Sequence, residues 1–131
     1  MRNVAESRGS VQYTILIVED HDHLRAELYD WLSATFVGSR CLAVRSGAQA
    51  LELVTEQPPK VALIDIGWPY IDGIETTRRI KAIAPGTYVV IISIYQESDY
   101  RASAASAGAI AYVCKQRIHT ELVPILRELL D

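Results

Sequence analysis

Three stretches of the chain are apolar without interruption: ILIV at 15–18, VALI at 61–64 and VVII at 89–92. A strand solvated on one face alternates apolar and polar residues. A continuous run marks a strand covered on both faces, hence a parallel sheet with helices on each side. Two weaker runs, at 40–44 and 109–114, extend the pattern to five strand-like segments, the first of them reading as a sheet edge.

Between these runs the apolar spacing turns helical. Residues 23–35 place Leu24, Leu28, Trp31 and Leu32 on one stripe, and 48–56 group Ala50, Leu51 and Val54 ahead of Pro58 and Pro59. Residues 72–83 align Ile74, Thr77, Ile80 and Ala84, stopped by Pro85 and Gly86. Residues 98–107 end at Gly108, and 120–130 carry Leu122, Leu126 and Leu129 or Leu130. Pro124 falls about one turn into that last segment, so the helix is expected to start late or to bend there. Alternating strands and helices require right-handed crossovers and predict an α/β doubly wound five-stranded parallel sheet with helices on both faces. The strand order 2-1-3-4-5, as in flavodoxin-like folds, accommodates five such units.

Composition narrows the class of function. The chain has 131 residues, 50% of them hydrophobic and 22% charged, which suits one domain with its own core. Residues 1–11 are expected to form a flexible tail and 12–131 the domain. A net charge of −3, with Lys and Arg scattered, speaks against direct nucleic-acid contact. No apolar run approaches the roughly 20 residues of a membrane span. Cys41 and Cys114 fall on opposite edges of the expected sheet, too far apart for a disulfide, and fit packing thiols in a reducing cytoplasm.

In open parallel sheets chemistry gathers beyond the carboxyl ends of the strands. Here the first strand ends in Glu19-Asp20, the third in Asp65, the fourth in Ser93 and the fifth in Lys115, with Arg45 just past the second. Three converging carboxylates need counter-charge. Lys115 supplies one positive charge, and Mg2+, a hard ion held by few carboxylates and several waters, supplies the rest. Asp20 and Asp65 are the expected direct ligands, with the backbone carbonyl of Gly67 as a third and Glu19 acting through water. An Asp between a metal ion and a Lys is poised to attack phosphorus. The Ser93 hydroxyl is placed to donate to the new phosphoryl group and draw in the loop after the fourth strand. Glu19-Asp20 as simple helix caps is the plainer alternative. His21 and His23, at i and i+2, point apart and are not expected to share a transition metal. Arg78, Arg79 and Lys81 read as a solvated helix face.

These residues also carry a likeness. ILIVEDHDHLR, VALIDIGWPYIDGIETTRRI, VVIIS and AGAIAYVCK resemble the response-regulator receiver family of two-component systems. The spacing agrees, with 28 residues from Asp65 to Ser93 and 22 from Ser93 to Lys115. VEDHDHLR and GAIAYVCK resemble the branch that precedes LuxR-type helix-turn-helix output domains. The resemblance implies that Glu19 and Asp20 are the acidic pair, Asp65 the phosphoacceptor, Ser93 the switch hydroxyl and Lys115 the motif lysine. It also implies that Tyr112 is the aromatic that changes rotamer, and that Pro69 and Gly73 belong to the loop shaping the pocket. Trp68 stands where the family usually has Met, Gln116 where many members have Pro, and Cys114 is uncommon before the Lys.

The implied function is phosphoryl transfer from a histidine kinase or phosphotransfer protein to Asp65. A homodimer or an output domain reads the changed face and controls transcription. Self-phosphorylation and slow self-dephosphorylation are expected, without a turnover substrate. An Asp-nucleophile phosphatase is the rival from enzymology, but such enzymes often carry a second acid where this chain has Gly67. A flavin-binding protein needs a hydroxyl- and Gly-rich loop after the first strand, where this chain has EDHDHLR. A receiver-like interaction module that works without phosphorylation is the third possibility.

Overall fold

A computed structural model describes residues 13–66, 70–95 and 98–131. The strands are β1 (Tyr13–Val18), β2 (Ser39–Val44), β3 (Val61–Ile66), β4 (Tyr88–Ser93) and β5 (Ala111–Cys114). The helices are α1 (Asp22–Thr35), α2 (Gly47–Glu56), α3 (Tyr70–Ile83), α4 (Ser98–Ala107) and α5 (Ile118–Leu130), the last preceded by a 3-10 turn at Lys115–Arg117. All strand pairs are parallel, in the order β2-β1-β3-β4-β5, as the apolar runs predict. The expected tail, and the loop carrying Gly67, Trp68 and Pro69, lie outside the described residues.

Alternation along each strand divides the core into two clusters. Ile15, Ile17, Leu63, Val90, Ile92 and Val113 pack against Leu28 and Leu32 of α1 and Leu122, Leu126 and Leu130 of α5. Leu16, Val18, Ile64, Val89 and Ile91 face Ala50 and Val54 of α2, Ile74 and Ile80 of α3, and Ala104 and Ala107 of α4. Both faces of the three central strands are dry, so 15–18, 61–64 and 89–92 carry no polar residue. Cys41 and Cys114 are free and buried on the opposite edge strands, as expected.

Some boundaries differ from the sequence expectation. β5 begins at Ala111, because Ile110 stays 57% exposed, although its N–H still donates to the Val89 carbonyl at 2.8 Å. α5 starts at Ile118 and runs through Pro124, so the late start is not found. Pro124 lies on the exposed side of α5, where water can satisfy the Thr120 carbonyl left without a donor. Gly73 lies inside α3, within the helix expected over 72–83 and not in the loop that the resemblance implies. A Cβ there would stand 2.5 Å from Ile66 Cγ1, so the glycine lets the helix close onto the end of β3.

At the other pole of the sheet, Lys60 just before β3 donates to the Leu130 carbonyl at 3.3 Å, tying down the end of α5. Lys81, expected on a solvated basic face, instead folds back to the carbonyls of Pro85 and Thr87, each at 2.8 Å. Arg78 and Arg79 do lie outward, both paired with Glu75.

Candidate phosphoacceptor site

The period-2 alternation that builds the core also builds the site. Glu19, Asp65 and Lys115 continue the phase of Ile17, Leu63 and Val113, so all three side chains fall on one face as their strands end. Lys115 Nζ lies 2.9 Å from Asp65 Oδ1, and the Asp65 side chain is 3% exposed. Glu19 is buried beside it and within hydrogen-bonding reach of both Asp65 and Asp20. Glu19 Oε2 accepts the His21 backbone N–H at 2.9 Å, while Glu19 Oε1 is buried with no hydrogen-bond partner among the described residues. No side-chain cap forms at α1, so the capping alternative for the acidic pair falls away.

Two carboxylates share this dry space with one lysine. Burial pushes the Asp65 carboxyl up to about 8, and the Glu19 carboxylate beside it adds to the rise, against the pull of Lys115. Burial also acts to raise Glu19, but hydrogen bonding with Asp65 and the His21 backbone outweighs it and holds Glu19 below the ordinary glutamate value. A single proton shared by the pair, resting on Asp65, answers both shifts. A divalent cation would replace that proton. The donor set fits a hard one: Glu19 and Asp20 offer clustered carboxylate oxygens, Asp65 lies beside Glu19, and Glu19 Oε1 has no other partner among the described residues.

The two acids of the pair differ in burial. Glu19, expected to act through water, is the buried acid against Asp65. The Asp20 side chain, expected as a direct ligand, is 73% exposed and faces His21 Nδ1 at 3.2 Å. His23 points away to Glu27 at 2.7 Å, so the two histidines part as expected. Ligand atoms of Glu19, Asp20 and His21 do lie within 4.8 Å of one another, so the imidazole borders the acidic cluster.

A family model for the response regulator receiver domain matches residues 15–127. The chain belongs to the response regulator receiver family. The response regulator GacA of Pseudomonas aeruginosa is 30% identical to this receiver over 115 residues, covering 87% of the receiver and 53% of GacA. Sporulation initiation phosphotransferase F of Bacillus subtilis is 33% identical over 101 residues, covering 77% of the receiver and 80% of that protein. A LuxR-family two-component response regulator from Aurantimonas superposes with a TM-score of 0.81 at 28% identity, over 90% of the receiver and 84% of the other chain. The receiver spans about half the length of the first curated relatives it matches. Receivers of this family hold Mg2+ in an acidic pocket and interact with kinases or phosphotransfer proteins.

Ser93 and Tyr112 meet in this receiver through a residue that sequence reasoning missed. Ser93 is fully buried, and its Oγ accepts the Tyr95 N–H at 3.0 Å. The Tyr112 hydroxyl donates to the Tyr95 carbonyl at 2.6 Å. Arg101 of α4 was missed too. Its guanidinium lies 4.8 Å from the Tyr112 ring centroid and donates to Cys114 Sγ at 3.3 Å. Neither contact leaves a local signal, because each joins residues on different elements. A third unforeseen feature is the Asp22 carboxylate, which takes Arg25 and Arg45 at 2.7 Å each.

Proposed function

We propose that Asp65 accepts a phosphoryl group from the phosphohistidine of a partner kinase or phosphotransfer protein. The observation that carries this reading is the buried Asp65 carboxylate, 2.9 Å from Lys115 and beside a Glu19 oxygen with no partner among the described residues. An Asp65 oxygen attacks phosphorus, the bond from phosphorus to the donor nitrogen breaks, and the histidine leaves with the electron pair. Lys115 offsets charge on the transferring oxygens. Glu19, Asp20 and Asp65 would hold Mg2+, and the Gly67 carbonyl is the remaining ligand of the proposal. The bound ion supplies charge neutralisation at the phosphoryl oxygens.

Ser93 then leaves the Tyr95 N–H and donates to the phosphoryl group. Tyr95 is held at its N–H by Ser93 and at its carbonyl by Tyr112, so losing one hold displaces the segment that the other grips. The face formed by α4, β5 and α5 changes with it, a two-state element biased by one charged group. An output domain or a second copy of the chain reads that face, and the output is control of transcription. The modification reverses by slow self-hydrolysis, without a turnover substrate. Among the described residues no helix is long and apolar enough to cross a membrane, and two free buried thiols suit a reducing cytoplasm.

Beryllofluoride with Mg2+ mimics an acyl phosphate and tests the scheme. Amide spectra of the wild type should shift around Ser93, Tyr95 and Tyr112, and those of Asp65→Asn should not. Equal responses from both proteins reject Asp65 as the acceptor.

A further inference from the structure

A cavity of about 230 Å³ leads to Asp65 between the ends of β1 and β3, the start of α2 and the first turns of α3. Among the described residues lining it, four are acids, Glu19, Asp20, Asp65 and Asp72, and the one basic side chain is Arg45. Lys115 is not part of this lining and is already engaged with Asp65. A phosphodonor is itself an anion, and among the described side chains lining this cavity only Arg45 carries the charge to attract it. We propose that Arg45 draws the donor's anionic group into this cavity, and that Asp22 holds Arg45 aside until a donor arrives. The inference rests on the reading of Asp65 as phosphoacceptor.

The backbone fixes where Arg45 stands. The Glu19 N–H donates to the Val44 carbonyl at 3.0 Å, extending the β1-β2 pairing by one step, so Arg45 follows directly at the acidic rim. The Arg45 N–H donates to Gln49 Oε1 at 2.9 Å, and Ser46 caps α2 through the Gln49 N–H at 3.2 Å. Beyond Cβ the side chain is free to swing, and it is 58% exposed. Its guanidinium donates to Asp22 Oδ1 at 2.7 Å, an oxygen that also takes Arg25 at 2.7 Å. Arg25 has a second anchor at the Glu19 carbonyl, at 3.0 Å, whereas Arg45 has no second side-chain bond of that kind among the described contacts. An ion pair this exposed to water and salt contributes little to holding the side chain in place. A guanidinium binds a phosphoryl dianion through two parallel hydrogen bonds, so exchange from Asp22 to the donor is favourable.

Two small donors of different charge provide the test. Dianionic acetyl phosphate loses acetate, with the electron pair, as the Asp65 oxygen bonds to phosphorus. Phosphoramidate, a zwitterion of net single negative charge, loses ammonia as its phosphorus–nitrogen bond breaks. The full chain is assayed at saturating Mg2+ and low ionic strength, with the mass of the phosphorylated protein followed over time. Arg45→Gln should slow acetyl phosphate by about three- to tenfold, the scale of charge steering at a cleft, and phosphoramidate by about twofold or less. The gap between the donors should close in high salt, and Arg45→Lys should restore most of the rate. Asp22→Asn should speed acetyl phosphate when Arg45 is present and have no effect alongside Arg45→Gln. Mg2+ should bind Arg45→Gln more tightly than the wild type, a change that loss of structure does not produce. Equal slowing with both donors, or a gap indifferent to salt, overturns the role of Arg45. A wild type that neither donor modifies sinks the phosphoacceptor reading itself. A wild type modified at Asp65, with Arg45→Gln equally fast, sinks only the role of Arg45.

Discussion

Asp65 is costly to keep where it is. Its carboxyl is raised from 3.8 to about 8, so the folded protein keeps a proton that the unfolded chain releases near pH 3.8. Between those values the native state binds more protons, and stability falls as pH rises. The contribution is fully present below about pH 3.8 and gone above about pH 8. The Glu19 carboxylate beside Asp65, held below its ordinary value, acts in the opposite sense and offsets part of that loss in the metal-free protein. Asp65→Asn should flatten this slope and raise the Tm at pH 8 in chelator, as read by thermal melts across the pH range. Gly73→Ala tests the close approach of α3 to Ile66. Alanine ordinarily favours a helix over glycine by about 1 kcal/mol, but here its Cβ meets a core side chain and the overpacking costs about 1–3 kcal/mol. Urea titration should show net destabilisation. The acids, Ser93 and Lys115 were legible in the sequence because each is the first polar residue after a dry strand. The unequal burial of Glu19 and Asp20 was not, since it depends on how the chain turns into α1.

At the level of elements, apolar periodicity located every strand and helix, and its errors share a cause. Ile110 is apolar but exposed, so composition overextended β5. Pro124 was read as an interruption, yet on the outer face of α5 its missing N–H leaves only a solvated carbonyl. The proline still weakens the helix. Pro124→Ala restores one backbone hydrogen bond and should raise the melting temperature, with a gain of about 1–3 kcal/mol after the flexibility returned to the unfolded chain is offset. Circular dichroism melts of the two proteins decide it, and a lowered Tm contradicts this account of α5. The contacts of Tyr95 and Arg101 escaped sequence reading for a different reason. A side chain that bridges α4 to β5 has no periodicity to betray it.

For the molecule as a whole, the sheet does two jobs with one pattern. The alternation that splits the core between α1 with α5 and the three other helices also sends Glu19, Asp65 and Lys115 to the same face at the rim. Ser93 and Tyr112 take the other phase, so they sit across the sheet end from the acidic cluster, and Tyr95 joins them to each other. Because the acidic cluster is short of positive charge, Mg2+ should stabilise the entire fold. At a hundredfold excess over its dissociation constant the gain is about 2.7 kcal/mol. The Tm rise on adding Mg2+ at pH 8 should be lost on chelation and much smaller in Asp65→Asn. The anchor from Lys60 to the Leu130 carbonyl has a consequence for reach. α5 leaves the reaction centre at Lys115 and is pinned at the opposite pole, some 20 Å away at 1.5 Å per residue. Anything attached beyond Asp131 thus begins remote from the chemistry, and word of a phosphoryl group must reach it along the flank of the domain.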